Sequence, residues 1–83
     1  MKFVASIDVM PLKALLDPQG KAVNNILKNN NYPYVDNVRI GKHITLELEA
    51  DSFEDAEAMV DDVSRKVLIN PVIEEFTFIV VEK

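Results

Sequence analysis

Eighty-three residues, 48% of them hydrophobic, describe one small folded domain, residues 1–83, rather than a disordered chain. With no cysteine and one histidine, neither a disulfide framework nor a zinc site can staple a chain that is short for a self-sufficient core, so stabilisation by oligomerising or docking is expected. A formal net charge of −5 argues against a nucleic-acid binder, and the lack of any apolar run near ~20 residues or of a signal-peptide pattern points to a cytoplasmic, non-membrane protein.

Lys2 to Met10 reads as a strand. Phe3, Ala5, Ile7 and Val9 share one face, and Val4 and Met10 add apolar surface to the other, which predicts a central position in a sheet. Pro11 cannot continue a ladder and ends the strand. Leu12 to Leu16 is a connection carrying three leucines, too apolar to lie wholly in water. Asp17 followed by Pro18 predicts a helix start, with a carboxylate to accept orphan N–H groups and a proline pre-set for the first helical position. Gly20 is the odd choice, since glycine inside a helix costs about 1 kcal/mol against alanine. Either another backbone packs against it or a partner docks on it. The helix runs from about Pro18 to Asn30, with Ala22, Val23, Ile26 and Leu27 as a stripe facing a core and Lys21, Asn24, Asn25 and Lys28 in solvent. Asn29-Asn30-Asn31 tolerates a left-handed exit, and Tyr32-Pro33 breaks the helix.

Val35 to Glu49 predicts two strands joined by a tight turn. Val38 and Ile40 alternate with Asn37 and Arg39 in a short edge strand, and Gly41-Lys42 suits a type II′ hairpin. Ile44, Leu46 and Leu48 then alternate with Thr45, Glu47 and Glu49, a half-buried strand. Ser52-Phe53-Glu54-Asp55 is a capping-box pattern opening a second helix, followed by Ala56, Met59, Val60, Val63 and Val67 at helical spacing and by Arg65 and Lys66 near its end. Asn70-Pro71 stops it, and Ile73 to Glu82 is a last strand with Phe76, Phe78 and Val80 on one face and Ile79 and Val81 on the other.

The element order β-α-β-β-α-β predicts an α+β, ferredoxin-like fold: a four-stranded antiparallel sheet with two helices on one face. Its other face would expose Val4, Met10, Ile79 and Val81, so a homo-oligomer through that face or an edge strand is expected.

Candidates for chemistry are few. His43 has no Ser, Cys or acid placed to form a triad with it, which favours a surface or packing role. Asp17 as a general base competes with the simpler cap reading. Arg39 and Lys42 flank Gly41, either as edge-strand charges or as contacts for an acidic partner or a phosphate. Asp51, Glu54, Asp55, Glu57, Asp61 and Asp62 wrap around a helix rather than converge on a metal. Gly20-Lys21 lacks the upstream glycine and the following Ser or Thr of a phosphate loop. The phenylalanines of the last strand lack the flanking basic residues of a base-stacking platform.

Three stretches together carry a family resemblance: Leu16-Asp17-Pro18-Gln19-Gly20-Lys21-Ala22-Val23, then Val38-Arg39-Ile40-Gly41-Lys42 leading into Ile44 to Glu49, and Asn70-Pro71-Val72-Ile73-Glu74. The chain resembles the PurS family, the small subunit of phosphoribosylformylglycinamidine (FGAM) synthase, over essentially its whole length. Its asparagine-rich stretch from Asn29 to Pro33 departs from that pattern. The resemblance implies a homodimer, or a tetramer of it, that joins the synthetase subunit PurL to the glutaminase subunit PurQ and supports ammonia transfer. The complex is a ligase of purine biosynthesis, converting formylglycinamide ribonucleotide, glutamine and ATP to formylglycinamidine ribonucleotide. ATP and Mg would be used by the synthetase subunit, with no cofactor, metal or catalytic residue on this chain. Asp17, Gln19, Gly20 and Lys21 are then the first candidates for a partner-facing patch, and Arg39, Gly41 and Lys42 the second, beside their structural readings as cap, close packing and turn. The alternative is a small-molecule regulatory module of the ACT type, which shares the topology. An acylphosphatase-like enzyme is disfavoured, because Pro11 to Leu16 contains Lys13 and no arginine.

Overall fold

The four alternating apolar residues of β1 (Lys2–Pro11) make it the middle strand of the sheet. In the computed structural model, which describes residues 1–13 and 17–83, it pairs antiparallel on one side with β2 (Lys42–Glu49) and on the other with β3 (Glu74–Glu82). Residues 14–16 of the leucine-bearing connection lie outside the described residues. The register sets Phe3 opposite Leu48 and Ile7 opposite both Ile44 and Phe78, so Phe3, Ala5, Ile7 and Val9 are shielded from both sides and fully buried. α2 (Phe53–Val63) closes this face with Ala56 and Val60. Each large side chain buried there contributes about 1.5–3 kcal/mol. The cap of α2 is the predicted one: Ser52 Oγ accepts from the Asp55 N–H at 3.1 Å. Beyond Val63 the helix loosens into a π-helical turn, Ser64–Leu68, where Ser64 is fully buried.

The sheet has three strands in the order β2-β1-β3, not the predicted four. The expected edge strand around Val38–Ile40 does not form, and residues 35–41 pair with no strand. Their backbone groups are engaged elsewhere. The Ile40 N–H donates to Asp17, the Asn37 N–H donates to Asp36, and the left-handed Asn37 (φ 55°) interrupts the extended alternation a ladder requires. The type II′ hairpin is absent with it, since neither glycine has a positive φ.

α1 (Pro18–Asn29) starts and ends as predicted, with Asp17 as N-cap and a left-handed Asn31 (φ 72°) after it. Its apolar stripe does not face this chain's core, however: Ala22 is exposed and Ile26 is 59% exposed. Instead α1 and the returning residues 35–41 run side by side as an arm away from the sheet. Among the described residues, the molecule measures 52 × 26 × 14 Å. Its radius of gyration, 16.4 Å, compares with about 12 Å for a compact chain of this length. The second sheet face is uncovered, as its apolar pattern predicts, with Ile79 69% exposed and Val81 also open to solvent. Among the described residues, no helix is long and apolar enough to cross a membrane.

Candidate assembly surface

The base of the arm is built on Asp17. Its Oδ1 accepts from the Gly20 N–H at 3.0 Å and its Oδ2 from the Ile40 N–H at 2.9 Å, so one side chain holds both the outgoing helix and the returning segment. These bonds favour the carboxylate form: the Gly20 bond first, then that of Ile40, hold the Asp17 pKa below its ordinary value against partial desolvation. A carboxylate engaged in this way is a poor proton acceptor, and the structure gives Asp17 a cap and a tether rather than the surroundings of a general base.

Gly20 is buried because the arm closes on it. A Cβ there would stand 2.2 Å from the Val38 carbonyl oxygen, so another backbone occupies the place of the missing side chain. Gly41 plays the same part at the start of β2, where a Cβ would meet the Val9 carbonyl oxygen at 2.2 Å and Met10 Sδ. Arg39 crosses from the arm to donate to the Pro11 carbonyl. Lys42 Nζ lies 3.4 Å from Glu74 Oε2, which ties the start of β2 to the start of β3. The Glu74 pKa is lowered, first by the Asn70 N–H at 2.8 Å and then by Lys42. Gln19 and Lys21 are exposed on the first turns of α1.

Residues from all three marked stretches thus meet at one end of the sheet. Asp17, Gln19, Gly41 and Lys42, with Pro11 and Ile73, line a cleft of about 620 Å³ there. Lys21 and Arg39 face a separate hollow beside Asn24, between the helix and the returning segment. Among the described residues, no three His, Asp or Glu side chains gather as a metal site would require. One pairing was not visible from sequence spacing: His43 Nδ1 lies 2.5 Å from Asp8 Oδ1, cross-strand neighbours on the open face, both largely exposed. The β1–β2 register, which sets Asp8 opposite His43, brings them together across 35 residues.

Comparison with known proteins gives one answer. Residues 4–82 match the family described as PurS: Phosphoribosylformylglycinamidine (FGAM) synthase. The phosphoribosylformylglycinamidine synthase subunit PurS of Thermotoga maritima is 35% identical over 74 residues, covering 89% of this chain and 90% of that one. The subunit of the same name from Bacillus subtilis is 40% identical over 70 residues, covering 84% and 82%. A solved structure described as PurLQS from Thermotoga maritima superposes with a TM-score of 0.88 at 32% identity, over 98% of this chain and 99% of that one. With a family match over residues 4–82, nearly its whole length, the chain belongs to the PurS family of phosphoribosylformylglycinamidine synthase.

Proposed function

We propose that this chain is the small, non-catalytic assembly subunit of an FGAM synthase complex, joining a PurL synthetase subunit to a PurQ glutaminase subunit and supporting the transfer of ammonia between them. The observation that carries this is the match over 98% of the chain to a structure named for the three-subunit assembly PurLQS. In this reading ATP and Mg act at the synthetase subunit, this chain binds no cofactor of its own, and the complex works in the cytoplasm. The chain self-associates as a homodimer, or a tetramer of it. Asp17, Gln19, Gly20, Lys21, Arg39, Gly41 and Lys42 form its partner-facing end. Gly20 and Asp17 shape that end from within, and Gln19 and Lys21, both exposed, are the side chains free to touch a partner. The family match leaves the ACT-type alternative without support.

The test is reconstitution. PurL and PurQ are assayed with and without this chain, using glutamine or ammonium as nitrogen donor. Restoration of the glutamine-dependent rate with little change in the ammonium-dependent rate is expected. Equal indifference of both rates to the chain refutes the assignment.

A further inference from the structure

The lysines and arginines of this chain divide into two groups. Lys42, Arg65, Lys66 and Lys83 each stand beside an acid. Lys2, Lys13, Lys21, Lys28 and Arg39 make no ion pair among the described residues. Three of these, Lys13, Lys21 and Arg39, line one hollow of about 280 Å³ between α1 and the returning segment. Lys13 comes from the turn after β1, Lys21 from the start of α1 and Arg39 from residues 35–41, so the fold of the arm gathers them. Two carboxylates share the lining, and both are engaged by N–H groups of this chain. Asp17 accepts from Gly20 and Ile40, and Asp36 accepts from the Asn37 N–H at 2.9 Å. Arg39 gives one N–H to the Pro11 carbonyl and keeps the rest of its guanidinium fork.

A second observation falls on the same hollow. Asn24, which also lines it, lies on the polar side of α1, yet its Oδ1 is shut off from solvent and has no hydrogen-bond partner among the described residues. A buried acceptor left unpaired costs free energy until a donor reaches it. The lining therefore suits a ligand with two features side by side: an anionic oxygen for the three cations and an N–H for Asn24.

We propose that this hollow receives an Asp or Glu side chain from an acidic segment of a partner subunit. Its carboxylate settles among Lys13, Lys21 and Arg39, and a backbone N–H of the same segment donates to Asn24 Oδ1. This deepens the assembly role in the proposed function, rests on it, and names the chemistry of one contact. A peptide segment carries both required groups, whereas an inorganic phosphate dianion has no donor for Asn24. The volume agrees, since sites that enclose small molecules measure about 300–1,000 Å³ and this hollow, about 280 Å³, is shallower. Charge adds orientation. A chain of formal net charge −5 repels an acidic segment over most of its surface, so admission at this one cationic hollow fixes how the partner sits.

The test measures binding rather than turnover. The full chain is immobilised, and purified PurL and PurQ are passed over it separately and together, at low and at high salt. Binding of at least one of them, weakened by salt, is expected. Lys13→Glu and Lys21→Glu alter exposed side chains in no ion pair, so their far-UV circular dichroism should be unchanged. Each is expected to lower the affinity about tenfold. Asn24→Leu, which removes the acceptor and adds no charge, is expected to lower it about threefold. Lys28→Glu makes the same charge change on the same helix outside the hollow and should alter it less than about twofold. Folded Lys13→Glu and Lys21→Glu chains that bind as the natural chain does overturn the proposal, as does unchanged binding by Asn24→Leu. A loss at Lys28→Glu equal to that at Lys21→Glu overturns it in favour of diffuse attraction. Saturable binding of inorganic phosphate to the isolated chain, abolished by Lys21→Glu, overturns it in favour of a small-anion site. Absence of binding by the natural chain refutes the proposal together with the assembly role. Binding that depends on Lys21 without restoration of the glutamine-dependent rate refutes the proposed function alone.

Discussion

The carboxylate of Asp17 and the backbone N–H of Ile40 are 23 residues apart in sequence and 2.9 Å apart in space. The same side chain also holds Gly20. An asparagine at this position presents one oxygen and one NH₂ group, so it can accept from only one of the two N–H groups and sets a donor against the other. Asp17→Asn is therefore expected to loosen the arm and lower the urea midpoint at neutral pH. Since the folded-state pKa of Asp17 lies below its ordinary value, the contribution is complete above the unfolded range, near 4, and is lost as pH falls through the folded value. The midpoints of the variant and the natural chain should therefore converge as pH is lowered from 7 to below 3. A gap that persists unchanged into acid would show that the carboxylate charge is irrelevant.

Replacing Gly20 by alanine brings two opposed effects. Helix propensity favours alanine by about 1 kcal/mol. The new Cβ, however, would lie 2.2 Å from a backbone oxygen that cannot swing aside as a side-chain tip can. Overpacking of this kind costs about 1–3 kcal/mol, so net destabilisation is expected for Gly20→Ala, and a larger one for Gly41→Ala, where no helix gain offsets the clash. Urea denaturation of both variants measures it. A stabilised Gly20→Ala would mean that the returning segment around Val38 stands away from α1.

Ser64 is fully buried in the π-helical turn, and its Oγ has no hydrogen-bond partner among the described residues. Burying an unpaired hydroxyl costs about 1–3 kcal/mol. Ser64→Ala is expected to raise stability by about 1 kcal/mol, read from thermal or urea unfolding. A loss of that size instead would reveal a hydroxyl bonded to an internal water or required by the turn.

Ile7 and Ile79 test the two faces of the sheet against each other. Ile7→Ala, at a fully buried site, should cost about 2–5 kcal/mol. Ile79→Ala, at a site 69% exposed, should change the stability of the isolated chain by no more than about 0.5 kcal/mol. Equal losses at both sites, measured at low protein concentration, would place the uncovered face inside the fold.

Local signals carried much of this architecture. The period-two pattern of Phe3, Ala5, Ile7 and Val9 marks the central strand, and Asp17 and Ser52 mark the helix starts, because a strand's burial and a helix's cap are decided within a few residues. The missing fourth strand was illegible for the opposite reason. Val38 to Ile40 alternates as a strand does, but a carboxylate 23 residues earlier takes the N–H that a ladder would have used. The stripe on α1 shows that some core awaits it without saying whose, since amphipathicity records a face and not its partner. The candidate site was half legible. The oddness of Gly20 announced either a close backbone approach or a docked partner, and that the Val38 backbone fills the place depended on the course of the whole arm.

The middle strand of the sheet, β1, comes first in the chain order of the elements, and one of its two neighbours, β3, comes last. Phe3 pairs with Glu82, far along the chain, so the sheet has no complete form until β3 is in place. Until then β1 has only β2 to pair with, and one of its ladder edges stays open to any extended chain nearby. A chain lacking β3 exposes Phe3, Ile7 and Val9 along that edge, which makes loss of Glu74–Glu82 a route to aggregation rather than to a smaller working domain.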